Sequence, residues 1–129
     1  MSSKPMAIKV LLADQDDNLL ISLEYVLQRI GLEVIKSRDS GQMVRMAELE
    51  NPELIIADAL MPGLSGFELC QQLRASSICA ETPIILLSGR ARDTDITKAK
   101  ALGADALLIK PFPIQSLIDE VERLTEQTQ

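Results

Sequence analysis

Residues 54–68 read LIIADALMPGLSGFE, and they contain a complete strand, loop and helix. Leu54–Ala57 is a continuous apolar run before Asp58, which is typical of a strand buried on both faces of a parallel sheet. A Pro-Gly loop follows, and Ser65 can cap a helix that begins just after it. This stretch therefore predicts a βα unit with one carboxylate at the end of its strand.

The same unit recurs along the whole chain. Further apolar strand-like runs lie at residues 8–13, 33–36, 84–87 and 106–109. Each is followed by apolar residues at helical spacing, and the pattern has no break in composition. We therefore predict one domain over residues 1–129, with its core at about 8–124. Because crossovers between parallel strands are right-handed, we predict that this domain has an α/β fold, a three-layer doubly wound (βα)5 sandwich.

Helix faces and helix ends can also be read from the sequence. The positions predicted to face inward are Leu19, Leu23, Val26, Leu27, Ile30, Met43, Met46, Ala47, Phe67, Leu69, Cys70, Leu73, Ile114, Leu117, Ile118, Val121 and Leu124. Gly31 is expected to end the first helix, and Thr94 or Asp95 to cap the fourth. Asp16 and Asp17 suit a helix N-terminus, where acidic side chains cap free amides.

Four strand-like runs end in a polar residue, namely Asp14, Asp58, Ser88 and Lys110. In an open parallel sheet, ligands bind outside the carboxyl ends of the strands, so these side chains should converge. Two carboxylates suit a hard cation such as Mg²⁺, and a carboxylate can also act as a nucleophile toward phosphorus. A cation, a hydroxyl group and an ammonium group would neutralise the phosphoryl oxygens. The pattern predicts phosphoryl chemistry.

Composition excludes several classes of function. The net charge is −6 and the basic residues are scattered, which argues against a direct nucleic-acid partner. The chain has no histidine, so a Ser-His triad and a phosphohistidine acceptor are excluded. Apolar runs are too short for a membrane span or a signal peptide, so we expect a cytoplasmic protein. Cys70 and Cys79 are expected to stay reduced.

These residues together resemble the receiver domain of two-component response regulators, the chemotaxis CheY-like superfamily. The resemblance covers about residues 8–124 and rests on LLAD at 11–14, DALMPGLSGFE at 58–68, LS at 87–88 and KPF at 110–112. It implies a flavodoxin-like sheet of order 2-1-3-4-5. It also implies that the Lys110–Pro111 bond is cis, as is common in this family.

The resemblance also implies roles for individual residues. Asp58 would accept phosphate from a histidine kinase or a phosphotransfer protein. Asp14, Asp58 and the backbone carbonyl of Leu60 would hold Mg²⁺, while Ser88 and Lys110 would contact the phosphoryl oxygens. The module would then switch a downstream protein target or output domain, through the face of the fourth helix, fifth strand and fifth helix, which could also form a homodimer. It would modify itself without turning over a metabolite, so it would not be an enzyme.

Two positions depart from the family pattern. Gln15 stands where the family has a second acidic metal ligand, so Gln15 is expected to be at most a weak ligand and Mg²⁺ affinity is expected to fall. Leu107 stands where many receivers have an aromatic switch residue, so switching here must use other packing or backbone motion.

Two alternatives remain open from the sequence. One is a degenerate receiver that acts as a phosphorylation-independent interaction module, which Gln15 and Leu107 favour. The other is a small phosphohydrolase of the haloacid dehalogenase type, because Asp14-x-Asp16 after a strand resembles the nucleophile motif of that family. The short chain argues against the hydrolase, since that fold with its cap domain is usually longer.

Overall fold

The computed structural model describes residues 7–37, 39–61, 63–89 and 93–126. It contains five short β-strands, all close to the predicted runs. They are β1 (Lys9–Ala13), β2 (Glu33–Ser37), β3 (Leu54–Asp58), β4 (Ile84–Ser88) and β5 (Ala106–Ile109). Asp58 and Ser88 are therefore the last residues of their strands, not the first residues of the loops that follow.

A helix follows each strand, and a short 3₁₀ turn at Ser40–Gln42 precedes the second helix. The helices are α1 (Asp17–Arg29), α2 (Met43–Glu50), α3 (Gly66–Ala75), α4 (Asp93–Ala101) and α5 (Ile114–Glu126). Gly31 has a φ of 95° just after α1, as expected for a glycine that ends a helix. In contrast, α4 already includes Asp93, so the prediction that Thr94 or Asp95 caps it is wrong.

The five strands form one parallel sheet in the order β2-β1-β3-β4-β5. This order confirms the predicted flavodoxin-like topology. The chain steps from β1 to one side for β2 and to the other side for β3. Such a switch point opens a crevice at the carboxyl ends of β1 and β3, which is where Asp14 and Asp58 lie.

Two apolar clusters cover the two faces of the sheet. One joins the sheet to α2, α3 and α4, and the other joins it to α1 and α5. The predicted helix faces are confirmed in the middle of each helix but not at two ends. Ile30 and Ile114 are 40% and 42% exposed, because Ile30 already lies at the C-cap of α1 and Ile114 is the first residue of α5. Leu20, which the predicted face omits, is buried instead.

Cys70 and Cys79 are buried free thiols, in line with the predicted reduced state. Burial raises the pKa of the Cys70 thiol to about 11, and the nearby Arg74 opposes this rise. Burial also raises the pKa of Cys79. In the described part of the chain, no helix has the length and apolar character needed to cross a bilayer.

Candidate functional site

The four strand-end residues do come together at one edge of the sheet. The strand register places Ala13 beside Ala57, Asp58 beside Leu87, and Ser88 beside Ile109. The residues that follow β1 and β5 therefore flank Asp58 and Ser88. The predicted convergence is visible in two contacts of Lys110, whose Nζ lies 2.7 Å from Asp14 Oδ2 and 3.5 Å from Asp58 Oδ2.

Asp14 is a buried carboxylate with both oxygens engaged. Its side chain has no exposed surface, while that of Lys110 is 25% exposed. Asp14 Oδ1 accepts a hydrogen bond of 2.9 Å from the Asp16 backbone amide, and Oδ2 accepts one of 2.7 Å from Lys110. A buried charge needs such partners because it has lost its hydration. Asp14 is therefore held in place through both of its oxygens.

Asp58 is buried but less crowded. Its side chain is 6% exposed, and Oδ1 accepts a hydrogen bond of 3.1 Å from the Leu60 backbone amide. Its other oxygen has the longer contact of 3.5 Å with Lys110. The next residue is tied to β4, since the Ala59 amide donates to the Leu87 carbonyl at 2.8 Å. Asp58 thus has one oxygen hydrogen-bonded to the backbone and one in the longer contact with Lys110, and the backbone after it is hydrogen-bonded to β4.

Ser88 and Lys110 are connected through the backbone. Ser88 is 5% exposed, and its carbonyl accepts a hydrogen bond of 2.6 Å from the Lys110 amide. The Lys110–Pro111 bond is cis, as the family resemblance implies. A hydroxyl residue and a cation are therefore held at adjacent strand ends, beside the two carboxylates.

Gln15 makes a contact that the sequence does not predict. Its Nε2 donates a hydrogen bond of 3.1 Å to the carbonyl oxygen of Leu60. A carbonyl oxygen only accepts, so the amide nitrogen of Gln15, and not Oε1, must face it. The residue in the position of an acidic metal ligand thus binds the same carbonyl that the resemblance assigns to Mg²⁺.

Asp16 has the structural role that its position suggests. It is the N-cap of α1, and its side chain accepts hydrogen bonds from the backbone amides of Asn18 and Leu19. Capping satisfies amides that have no partner within the helix. Asp14 therefore pairs with Lys110, and Asp16 caps α1. These structural roles argue against the interpretation of Asp14-x-Asp16 as the nucleophile motif of a phosphohydrolase.

The loop after Asp58 is fixed by the start of α3. Ser65 and Glu68 form a reciprocal capping box, which confirms Ser65 as the cap. The Gly66 amide donates to the Ala59 carbonyl at 2.7 Å. A Cβ atom on Gly66 would lie only 2.6 Å from Ala59 Cα and 3.2 Å from the Asp58 carbonyl oxygen. Gly66 thus supports the backbone of the site, and its only signal in the sequence is a glycine directly after the helix cap.

The donor atoms at this edge fit Mg²⁺ in chemical type. Asp14, Asp58 and the Leu60 carbonyl offer hard oxygen ligands, and Mg²⁺ often keeps several waters beside one or two carboxylates. Among the described residues, however, no group of three or more acidic, cysteine or histidine side chains could hold a metal ion. Two carboxylates and one carbonyl therefore carry less negative charge than a site with three carboxylates.

Leu107 lies three residues before Lys110 on β5. It is partly buried and packs against the cluster beneath α2, α3 and α4. An aliphatic side chain at this point has no ring to swing between the interior and solvent.

Comparisons with known proteins agree with this geometry. The family model described as "Response regulator receiver domain" matches residues 10–122. The chain is 31% identical over 121 residues to the alkaline phosphatase synthesis transcriptional regulatory protein PhoP of Bacillus subtilis, covering 94% of this chain and 50% of PhoP. It is 28% identical to protein PilH of Pseudomonas aeruginosa, covering 88% of this chain and 93% of PilH.

A solved structure with the same fold is that of the chemotaxis response regulator CheY4 of Vibrio cholerae. The two chains superpose with a TM-score of 0.86 at 29% identity, over 92% of this chain and 99% of CheY4. The chain spans about half the length of the transcriptional regulators among its first curated relatives.

Proposed function

Because this chain belongs to the response regulator receiver domains of two-component systems, we propose that it accepts a phosphoryl group on Asp58 and then changes its binding to a partner. The observation that carries the proposal is the Asp58 carboxylate at the end of β3, with one oxygen only 3.5 Å from Lys110 Nζ. Asp14 is the other carboxylate of the site, but its oxygens already have close partners.

The proposed step is a transfer between two proteins. Asp58 Oδ2 attacks the phosphorus atom of a phosphohistidine on a histidine kinase or phosphotransfer protein. The new O–P bond gives an acyl phosphate, and the P–N bond of a phosphohistidine protonated on its other ring nitrogen breaks, so that neutral imidazole returns to the donor. Lys110 balances the negative charge of the phosphoryl oxygens, and the Ser88 hydroxyl donates a hydrogen bond to one of them.

Mg²⁺ is part of the proposal. Asp14, Asp58 and the Leu60 carbonyl are the residues that would hold it, and when bound it would neutralise charge on the phosphoryl oxygens. Placing a carboxylate at position 15 should strengthen binding, so we expect Gln15→Asp to lower the Kd for Mg²⁺. An unchanged Kd in this variant would remove the argument that Gln15 weakens the site.

The domain would modify and release its own phosphate without turning over an external substrate, so we do not assign it as an enzyme. The recipient of the signal would be a separate protein or an output domain on a longer chain. Pairing of two copies through α4, β5 and α5 and a cytoplasmic location also remain proposals.

Beryllofluoride, a phosphoryl analogue, tests the proposal without a partner protein. In the presence of Mg²⁺, we expect it to change the backbone NMR signals of Asp58, Ser88 and Lys110 in the wild-type chain. The changes should disappear in Asp58→Asn and persist in Asp119→Asn, which removes an exposed carboxylate on α5. No response at any Mg²⁺ concentration would instead favour a phosphorylation-independent interaction module.

A further inference from the structure

Four of the oxygens that could hold Mg²⁺ already accept a hydrogen bond within the chain. The two oxygens of Asp14 accept from the Asp16 amide and Lys110, and Asp58 Oδ1 accepts from the Leu60 amide. The Leu60 carbonyl accepts from Gln15 Nε2 at 3.1 Å. Of these donors, the Gln15 side chain differs from the family pattern, and it is exposed enough to move.

The orientation of the Gln15 amide opposes a cation. The NH₂ group carries partial positive charge, and it lies against the oxygen that would have to face Mg²⁺. If Gln15 were to act as a ligand, it would have to turn over and present Oε1. That turn gives up the hydrogen bond with Leu60, and it brings no negative charge in return.

We propose that Gln15 is a latch on the metal position, competing with Mg²⁺ for the Leu60 carbonyl, and not a weak ligand. This inference rests on the proposed Mg²⁺-dependent function of Asp58. The latch makes metal binding depend on release of a side-chain hydrogen bond, so the site is held in its metal-free form at low Mg²⁺ concentration.

The latch and the ligand role predict opposite results for a variant that removes the amide. Gln15→Met keeps the length of the side chain but has neither the NH₂ donor nor the amide oxygen. A ligand would be lost in this variant, and Mg²⁺ would bind more weakly. If Gln15 is a latch, the variant lacks the hydrogen bond that competes with Mg²⁺ for the Leu60 carbonyl. Mg²⁺ should then bind about threefold to tenfold more tightly.

The experiment is a Mg²⁺ titration of the full chain, followed by backbone NMR signals around Asp58. It compares wild type, Gln15→Met and Gln15→Ala, with Gln28→Met as a control on the exposed side of α1. We expect both position-15 variants to lower the Kd and the control to leave it unchanged. A Kd that is equal or higher in Gln15→Met overturns the latch, and so does a lower Kd in Gln15→Ala alone, because bulk would then be the obstacle.

Asp58→Asn in the same titration separates this inference from the proposed function. If the variant loses Mg²⁺ binding but Gln15→Met is no tighter than wild type, only the latch fails. If Mg²⁺ binds equally well without the Asp58 carboxylate, or binds neither the wild-type chain nor the Gln15 variants, both fail. Thermal unfolding of each variant shows whether the fold is kept.

Discussion

Lys110 and Asp14, 96 residues apart in the chain, form an ion pair in which Nζ lies 2.7 Å from Oδ2. The carboxylate has no exposed surface, so Lys110 takes the place of the water that it has lost. The same ammonium lies 3.5 Å from Asp58. Lys110 therefore lies between the carboxylates of Asp14 and Asp58 at the end of the sheet. A phosphoryl group on Asp58 would lie close to this ammonium group.

Removing Lys110 should therefore destabilise the fold. We expect Lys110→Met to lower the free energy of unfolding by about 2–4 kcal/mol, because it leaves the Asp14 carboxylate buried without its cation. The Asp14→Asn/Lys110→Met double variant should lose clearly less than the sum of the two single variants, since the pair is coupled. Urea unfolding at neutral pH measures all three. Additive losses would show that the two side chains do not stabilise each other.

A matched lysine serves as the control. Lys100 is exposed on α4, so Lys100→Met should change stability by less than about 0.5 kcal/mol. An equal loss in both lysine variants would point to an effect of net charge alone.

Gly66 should be intolerant of even one added methyl group. A Cβ would lie 2.6 Å from Ala59 Cα, and backbone atoms cannot move aside cheaply. We expect Gly66→Ala to cost about 1–3 kcal/mol of stability through overpacking, and also to reduce beryllofluoride binding, since Ala59 follows Asp58 directly. The control is Gly89→Ala, whose Cβ would meet nothing within 4 Å. If Gly66→Ala unfolds at the same urea concentration as wild type, the close approach is not significant.

Arg74 joins three segments that the sequence leaves unconnected. Its guanidinium group donates to the carbonyls of Gly103 at 2.7 Å, Thr82 at 2.8 Å and Cys79 at 3.2 Å, and it pairs with Asp105 at 3.1 Å. A lysine keeps the charge but cannot donate in all these directions. We expect Arg74→Lys to lower stability by about 1–3 kcal/mol, since carbonyls that are partly buried lose their donors.

Arg45→Lys, on the exposed side of α2, is the control for this substitution and should be neutral. Chemical denaturation of the two variants decides the point. Similar curves for Arg74→Lys and wild type would mean that water or lysine can satisfy the same carbonyls.

The Cys70 thiol should make stability depend on pH in alkaline solution. Its pKa is about 11 in the folded protein, against an ordinary value of 9.0, because it is buried. Between these values the unfolded chain loses the proton and the folded chain keeps it, so stability falls as pH rises from 9 to 11. This group accounts for a loss of up to about 2–3 kcal/mol.

The measurement is urea unfolding at pH 8, 10 and 11 for wild type and Cys70→Ala. Other groups titrate in the same range, so the difference between the two proteins isolates Cys70. The wild type should lose more stability than the variant between pH 8 and 11. Parallel losses would contradict a raised pKa at this position.

The fold was largely predictable because its signals are local. Buried parallel strands appear as apolar runs such as Leu54–Ala57, and Ser65 and Gly31 mark a helix start and a helix end by their own chemistry. The ends of the helices were less predictable. Helical spacing predicts that Ile114 lies in the core, but it is the first residue of α5 and is 42% exposed.

The positions of the candidate site residues could also be predicted, because a parallel sheet brings its strand ends together. The contacts between them could not. The bond from Gln15 to the Leu60 carbonyl joins two loops 45 residues apart. The approach of Gly66 to Ala59 and the reach of Arg74 to Gly103 likewise depend on tertiary packing, which no local pattern encodes.

Above all, we propose that Asp58 forms the acyl phosphate. The most direct measurement treats the chain with acetyl phosphate and Mg²⁺, then records its intact mass before and after hydroxylamine, which cleaves acyl phosphates but not serine phosphate esters. We predict the mass gain of one phosphoryl group in wild type, its removal by hydroxylamine, and no gain in Asp58→Asn. A gain that persists in Asp58→Asn, or that resists hydroxylamine, would contradict the account.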